Sequence, residues 1–240
     1  MKIIFILHVT FLLLFASVND ALSAFKSKKY EKAFKLYKQE AENNNSIAQN
    51  ALSYLYFNGI GIKKDITEGK KWLKKAALQA DSVAQFDMAM MYFNGINFKQ
   101  DYKQALFWLE RSADLGHAEA QFNIALMYYN GDATDQNVTK SAAYLNKSAK
   151  NGYKKARSLV GRIYMQILDF KNALRWLKIN DKEGDKEASY LIAEIYCSQG
   201  EYTKAEPWIK KAEKDNVEKA SQLKLTCKEL KTNQTASKKK

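Results

Sequence analysis

Few side chains in this sequence could carry out a reaction. The histidines are His8 and His117, and the cysteines are Cys197 and Cys227. A His-ligated metal site or a Cys–His nucleophile set needs more partners than these, and the cysteine spacing is neither a redox nor a zinc motif. Asp65, Asp101, Asn137 and Asp169 form a series that could be taken for general acids and bases. "GIGI" at 59–62 has the look of a glycine-rich phosphate loop, but it lacks a strand before it. No G-x-S-x-G, H-E-x-x-H or P-loop pattern occurs.

The acids and the glycines belong to a repeat. "YFNGIGIKKD" at 56–65 returns as "YFNGINFKQD" at 92–101 and, more loosely, as "YYNGDATDQN" at 128–137. An alanine opens each unit: Ala48, Ala84, Ala120, Ala156, Ala188, Ala220. The first three gaps are 36 residues and the last two are 32. A tyrosine follows each of the first five: Tyr56, Tyr92, Tyr128, Tyr164, Tyr196. Next comes a small residue (Gly69, Ala105, Ser141, Ala173, Ala205), then a large aromatic (Trp72, Trp108, Tyr144, Trp176, Trp208). A fixed period of this length is the signature of a stacked array.

Spacing within a unit predicts two helices. Ala84, Met88, Met91 and Tyr92 share one face of a first helix, A; Ala105, Trp108, Leu109 and Ser112 share one face of a second, B. The acid series then falls immediately before helix B. Asp and Asn are preferred there because the side chain accepts a bond from an otherwise unpaired backbone N–H. Capping, not catalysis, is the expected role, and Glu201 should cap less well. Asn58–Gly59, Asn94–Gly95 and Asn130–Gly131 are expected to end helix A, with glycine supplying the left-handed conformation. Tyr164 reaches Asp169 in five residues where Tyr92 needs nine to reach Asp101, so the shorter period comes from a deletion in the A–B turn.

The stretch "AQFDMAMMYFNGINFKQDYKQALFWLERSADLGHAEAQ" resembles the Sel-one-like repeat (SLR), the longer-looped relative of the tetratricopeptide repeat. The resemblance runs from residue 46 to about residue 216. It implies an all-α fold, a right-handed α-α superhelix of about five helix pairs, and a role in scaffolding protein–protein contacts. "IYMQILDFKNALRWL" and "IYCSQGEYTKAEPWI" are closer to tetratricopeptide repeats. "GDATDQN" departs from the family turn by losing its apolar residue, and Ser141 stands where alanine is usual, so this turn is expected to be looser. A cysteine-rich branch of the family has been linked to enzyme activity; the paired cysteines of that branch are missing here. No enzyme, cofactor or metal is expected.

The ends are read as caps. Residues 28–41, "KKYEKAFKLYKQEA", form a helix B without its helix A; residues 218–231 form a lysine-rich last helix A. The solenoid domain is placed at 24–231 and a disordered basic tail at 232–240. Residues 1–23 read as a signal peptide: Lys2, an apolar run, then Ala21 and Ser23 at the −3 and −1 positions of a cleavage site. Periplasmic or secreted localisation in a bacterial envelope follows from that reading. The product keeps a net charge of +13, because Lys2 and Asp20 cancel. Such a balance suits a protein partner with acidic patches or an anionic envelope surface. Export argues against nucleic acid, and no membrane span is expected after cleavage. In an oxidising space a disulfide between Cys197 and Cys227 is open to the chain, although the two sit at different offsets in their units.

In such solenoids helix A lines the concave face. Positions two, six and nine after the opening alanine should be exposed on it. They give an aromatic stripe in the first three units: Asn50, Tyr54, Phe57, Phe86, Met90, Phe93, Phe122, Leu126 and Tyr129. Ser158, Arg162, Met165, Tyr190, Glu194 and Cys197 continue it with more polar character. Aromatic and Met side chains anchor interfaces well, although the same stripe could be packed between neighbouring helices A. The expected function is an exported scaffold or adaptor; the alternative is an immunity protein that neutralises a secreted toxin such as a phospholipase, and an envelope enzyme comes last.

Overall fold

The computed structural model describes residues 18–237, with side chains to residue 233. Most of the segment read as a signal peptide lies outside the described residues. Residues 18–26 are helical (α1). There follow α2 (Tyr30–Glu42), α3 (Ser46–Asn58), α4 (Ile66–Leu78), α5 (Ser82–Asn94), α6 (Tyr102–Asp114) and α7 (Ala118–Asn130). Then come α8 (Val138–Lys150), α9 (Lys154–Gln166), α10 (Phe170–Lys182), α11 (Lys186–Ser198), α12 (Tyr202–Lys214) and α13 (Ala220–Ser237). No strand occurs among the described residues. The chain divides into two compact units, Met1–Ile124 and Ala125–Lys240.

In the first unit α2 packs on α3, α3 on α4, α4 on α5 and α5 on α6; in the second, α8 through α13 pack in the same consecutive way. Neighbour-on-neighbour packing is what defines an α-solenoid. The helix-B aromatics supply the interior, with Trp72, Trp108 and Trp176 buried. The small residue three places earlier makes room for helix A. A Cβ on Gly69 would lie 2.6 Å from the Phe57 ring.

The acid series does cap helix B. Asp65 accepts from Thr67 and Glu68 N–H, Asp101 from Lys103 and Gln104, Asn137 from Lys140, and Asp169 from Asn172. Glu201 makes no such bond. Gly59, Gly95 and Gly131 all have positive φ at the end of helix A. Gly61 has a further constraint: a Cβ there would run into the Tyr30 carbonyl oxygen, so the first A–B turn presses against the start of α2.

Both ends differ from the sequence reading. α2 does have a helix before it. Lys29 N–H donates to Ala24 O at 2.9 Å, and Lys28 is left-handed at φ 59°. The same closure joins α9 to α10, where Asp169 N–H donates to Tyr164 O and Leu168 has φ 59°. α1 is thus a helix A of the short-turn kind, and its Ala21 is 0% exposed. Periodicity could not show this, because α1 is too short to display a repeat of its own. At the other end α13 continues past Lys231 to Ser237, through residues placed in the tail.

Candidate partner-binding face

Helices α1, α3 and α5 share one face of the first unit, and a groove runs along it. Its cavity, about 410 Å³, is lined by Leu22 and Phe25 of α1, Tyr37 of α2, Asn50, Tyr54 and Phe57 of α3, Leu73 of α4, and Asp87 and Met91 of α5, among others. That is near the lower end of ligand-sized clefts. Tyr54 is 53% exposed at its rim. Phe25 packs edge-on against Tyr54 at 6.4 Å and against Tyr30 at 5.5 Å.

The predicted stripe is divided by this geometry. Phe57 is only 6% exposed, against the expectation of an exposed position. Gly69 opposite offers a slot, and the ring fills it, so Phe57 forms the floor of the groove instead of its rim. Phe86 stacks on His117 at 4.8 Å, and Phe93 packs against Tyr102 at 5.1 Å. Met90 and Phe122 are half-buried. Leu126 and Tyr129 belong to the second unit; Tyr129 accepts a hydrogen bond on its hydroxyl from Gln166. Farther along, Arg162 pairs with Glu187 at 2.7 Å, and Tyr190 donates to Glu194. Cys197 and Cys227 form a disulfide between α11 and α13, with Cα atoms 5.6 Å apart.

Several residues of the site escaped the sequence reading. Asp87 is the most informative. Asn50 Nδ2 donates to its Oδ2 at 3.1 Å. Burial raises its carboxyl pKa above the usual range, while the Asn50 bond and His117 pull it back. The available signal was an acid inside the apolar run "QFDMAMMYF". His117 Nδ1 accepts from Ala120 N–H at 3.2 Å, so it caps α7. The ring must be neutral to do so, and burial lowers its pKa.

A second unforeseen set is the glutamine after each of the first three opening alanines. Gln49 Nε2 donates to Ala41 O at 3.0 Å, Gln85 to Ala77 O at 2.9 Å and Gln121 to Ala113 O at 3.0 Å. Each adds a second donor to a last-turn carbonyl of the preceding helix B that already accepts a backbone N–H from its own C-terminal turn, and so ties helix A to that helix B. The "AQ" dipeptide at 48, 84 and 120 was the visible trace. Among the described residues no group of three or more His, Cys, Asp or Glu could hold a metal ion.

Comparison with known proteins agrees with this architecture. The Sel1 repeat model matches residues 24–45, 46–81, 82–117 and 118–153. A Sel1 repeat protein from Oxalobacter formigenes superposes with a TM-score of 0.64 at 25% identity, covering 82% of this chain and 85% of that one. A protective antigen of uropathogenic Escherichia coli with an SLR fold superposes at 0.61 and 23% identity. That match covers 83% of this chain but 45% of the antigen. No curated protein matches the sequence. With four repeats matched over more than half its length, the chain belongs to the Sel1 repeat family, whose repeats are scaffolds for protein–protein contact.

Proposed function

We propose that the protein is an exported adaptor of the bacterial envelope that holds another protein on the α3–α5 face. The observation that carries this reading is the groove itself: an apolar cavity, rimmed by the exposed Tyr54, on the helix-A side of the family's repeats. Export is supported by the apolar N-terminal run and by the Cys197–Cys227 disulfide, since such bonds persist in oxidising spaces. The net charge of +13 suits a partner with acidic patches around the groove, which would raise the association rate more than the affinity. Cleavage after Ser23 would take Ala21 out of the first core cluster and Leu22 off the groove wall, so the exported form would offer a wider groove.

A photo-crosslinking amino acid in place of Tyr54, followed by fractionation and mass spectrometry, tests the reading. A discrete protein adduct in the envelope fraction is expected. Adducts confined to the cytoplasm would refute export, and absence of any adduct would refute the face. A secreted toxin in the adduct would convert the adaptor into an immunity protein.

A further inference from the structure

The groove is mainly apolar, and of the polar residues that line it, among them Asn50 and Ser53, Asp87 alone carries an ionisable carboxyl. Asp87 stands on its α5 wall, one helical turn before Met91. One carboxylate oxygen receives the Asn50 amide; the other, Oδ1, has no hydrogen-bond partner among the described residues. No described lysine or arginine pairs with Asp87, in a chain holding 39 of them. His117 draws the Asp87 pKa down only when it is protonated, and a ring protonated at Nδ1 gives up its cap on α7. A half-buried carboxylate with one bare oxygen attracts a cation more strongly than an exposed one would, because water screens it less.

The surroundings decide which cation fits. A small hydrated ion would have to shed water against Phe25, Tyr54 and Met91. A lysine or arginine side chain would not: its methylene stem lies on apolar surface while its head reaches a polar group. Tyr54 and Phe25 line the same groove and give such a stem aromatic surface to lie on. We propose that the groove takes a single basic side chain from the partner, with its stem along Tyr54, Phe57 and Met91 and its charge against Oδ1 of Asp87. This rests on the adaptor reading and adds a local preference opposite in sign to that of the basic surface around it.

Labelled peptides measured by fluorescence anisotropy test it. The probes are acetyl-Gly-Leu-Lys-Leu-Gly amide and the same peptide with norleucine for lysine, which keeps the stem and drops the charge. The lysine peptide should bind the wild-type protein about tenfold more tightly. Asp87→Asn, nearly isosteric, should reduce the lysine peptide to the norleucine level, and Tyr54→Ala should weaken both. Melting curves of both variants establish that they fold. Equal binding of the two peptides by wild type, or no saturable binding of either, overturns the proposal. So does a wild-type dimer in sedimentation that Tyr54→Ala dissolves, since a second copy would then fill the groove. If the Tyr54 crosslink captures an envelope protein while the two peptides bind alike, the adaptor reading stands and the cation site falls; if neither works, both fall.

Discussion

The A–B turn between α5 and α6 and the one between α9 and α10 begin and end on the same bond. In the long turn Asp101 N–H donates to Tyr92 O at 3.0 Å; in the short one Asp169 N–H donates to Tyr164 O at 2.9 Å. The long turn bends at two left-handed residues, Gly95 and Asn97, and the short turn at one, Leu168. Helices A and B therefore meet in the same register whichever turn joins them. What changes is what the turn can touch. Phe98, in the long turn, packs on Tyr92 at 4.7 Å and lies under Lys70 of α4 at 5.0 Å. Gly61, in the turn before it, lies against Tyr30 of α2. Long turns thus clasp the preceding helix B, and the glutamine amides reinforce the same joint.

In the second unit the short turns give up that reach, and charges join the repeats. Arg157 pairs with Glu183 at 2.6 Å, Arg162 with Glu187 at 2.7 Å and Lys211 with Asp181 at 2.6 Å, all across helices. The ion pairs found in the first unit, Lys38–Glu42 and Lys71–Glu68, are local to one helix. The disulfide then ties α13 to α11. Exposed ion pairs contribute little each, so the covalent bond is the stronger tie here.

Four comparisons would sharpen or break this contrast. Trp108→Ala should cost about 3–5 kcal/mol through lost burial and a cavity, read by denaturant melting. Trp108 is 6% exposed whereas Trp208 is half-buried, so Trp208→Ala should cost clearly less. Equal losses would mean that both units have equally tight interiors. Reducing Cys197–Cys227 should remove about 2–4 kcal/mol of stability, and hydrogen exchange should locate the loss in α11–α13. Faster exchange in α3–α6 instead would contradict the division between the units.

Gln85→Ala should cost about 0.5–1.5 kcal/mol, because the Ala77 carbonyl loses its buried amide donor from helix A and keeps only the backbone N–H of Ala80. Ser189→Ala, at the equivalent place in the second unit, should cost less, since Ser189 bonds only within its own helix, to Lys186 O. The smallest effect concerns pH. The His117 pKa is lowered mainly by burial, with Glu119, Asp87 and Asp81 opposing. The neutral cap therefore stabilises the fold fully above the unfolded value of about 6.5. That contribution is lost as pH falls through the depressed folded value. Thermal melts at rising acidity should show wild type losing stability faster than His117→Asn, which caps without titrating. Parallel curves would show that the cap does not matter.

Much of the repeat was legible because its rules are local. The caps at Asp65, Asp101, Asn137 and Asp169, and the silence of Glu201, follow from which side chain can reach the first free N–H groups. The deletion between Tyr164 and Asp169 was legible for the same reason: both ends of the turn are fixed by residues whose spacing can be counted. The family match over residues 24–153 stops where that spacing shortens. Less of the binding face could be read. Tyr54 and Phe57 satisfy the same spacing rule, yet one stands at the rim and the other fills the floor.

By itself the sequence determined the period, the two helix faces, the caps and the place where the turn loses residues, since each depends on neighbours within a few positions along the chain. Only the tertiary structure decided that Phe57 sinks into the slot left by Gly69, that α1 serves as a first helix A, that Cys197 meets Cys227, and that Asp87 faces an apolar groove. Those outcomes depend on side chains brought opposite one another from different repeats. A helix periodicity tells which residues share a face, but the size and charge of whatever packs against that face are set by another part of the chain.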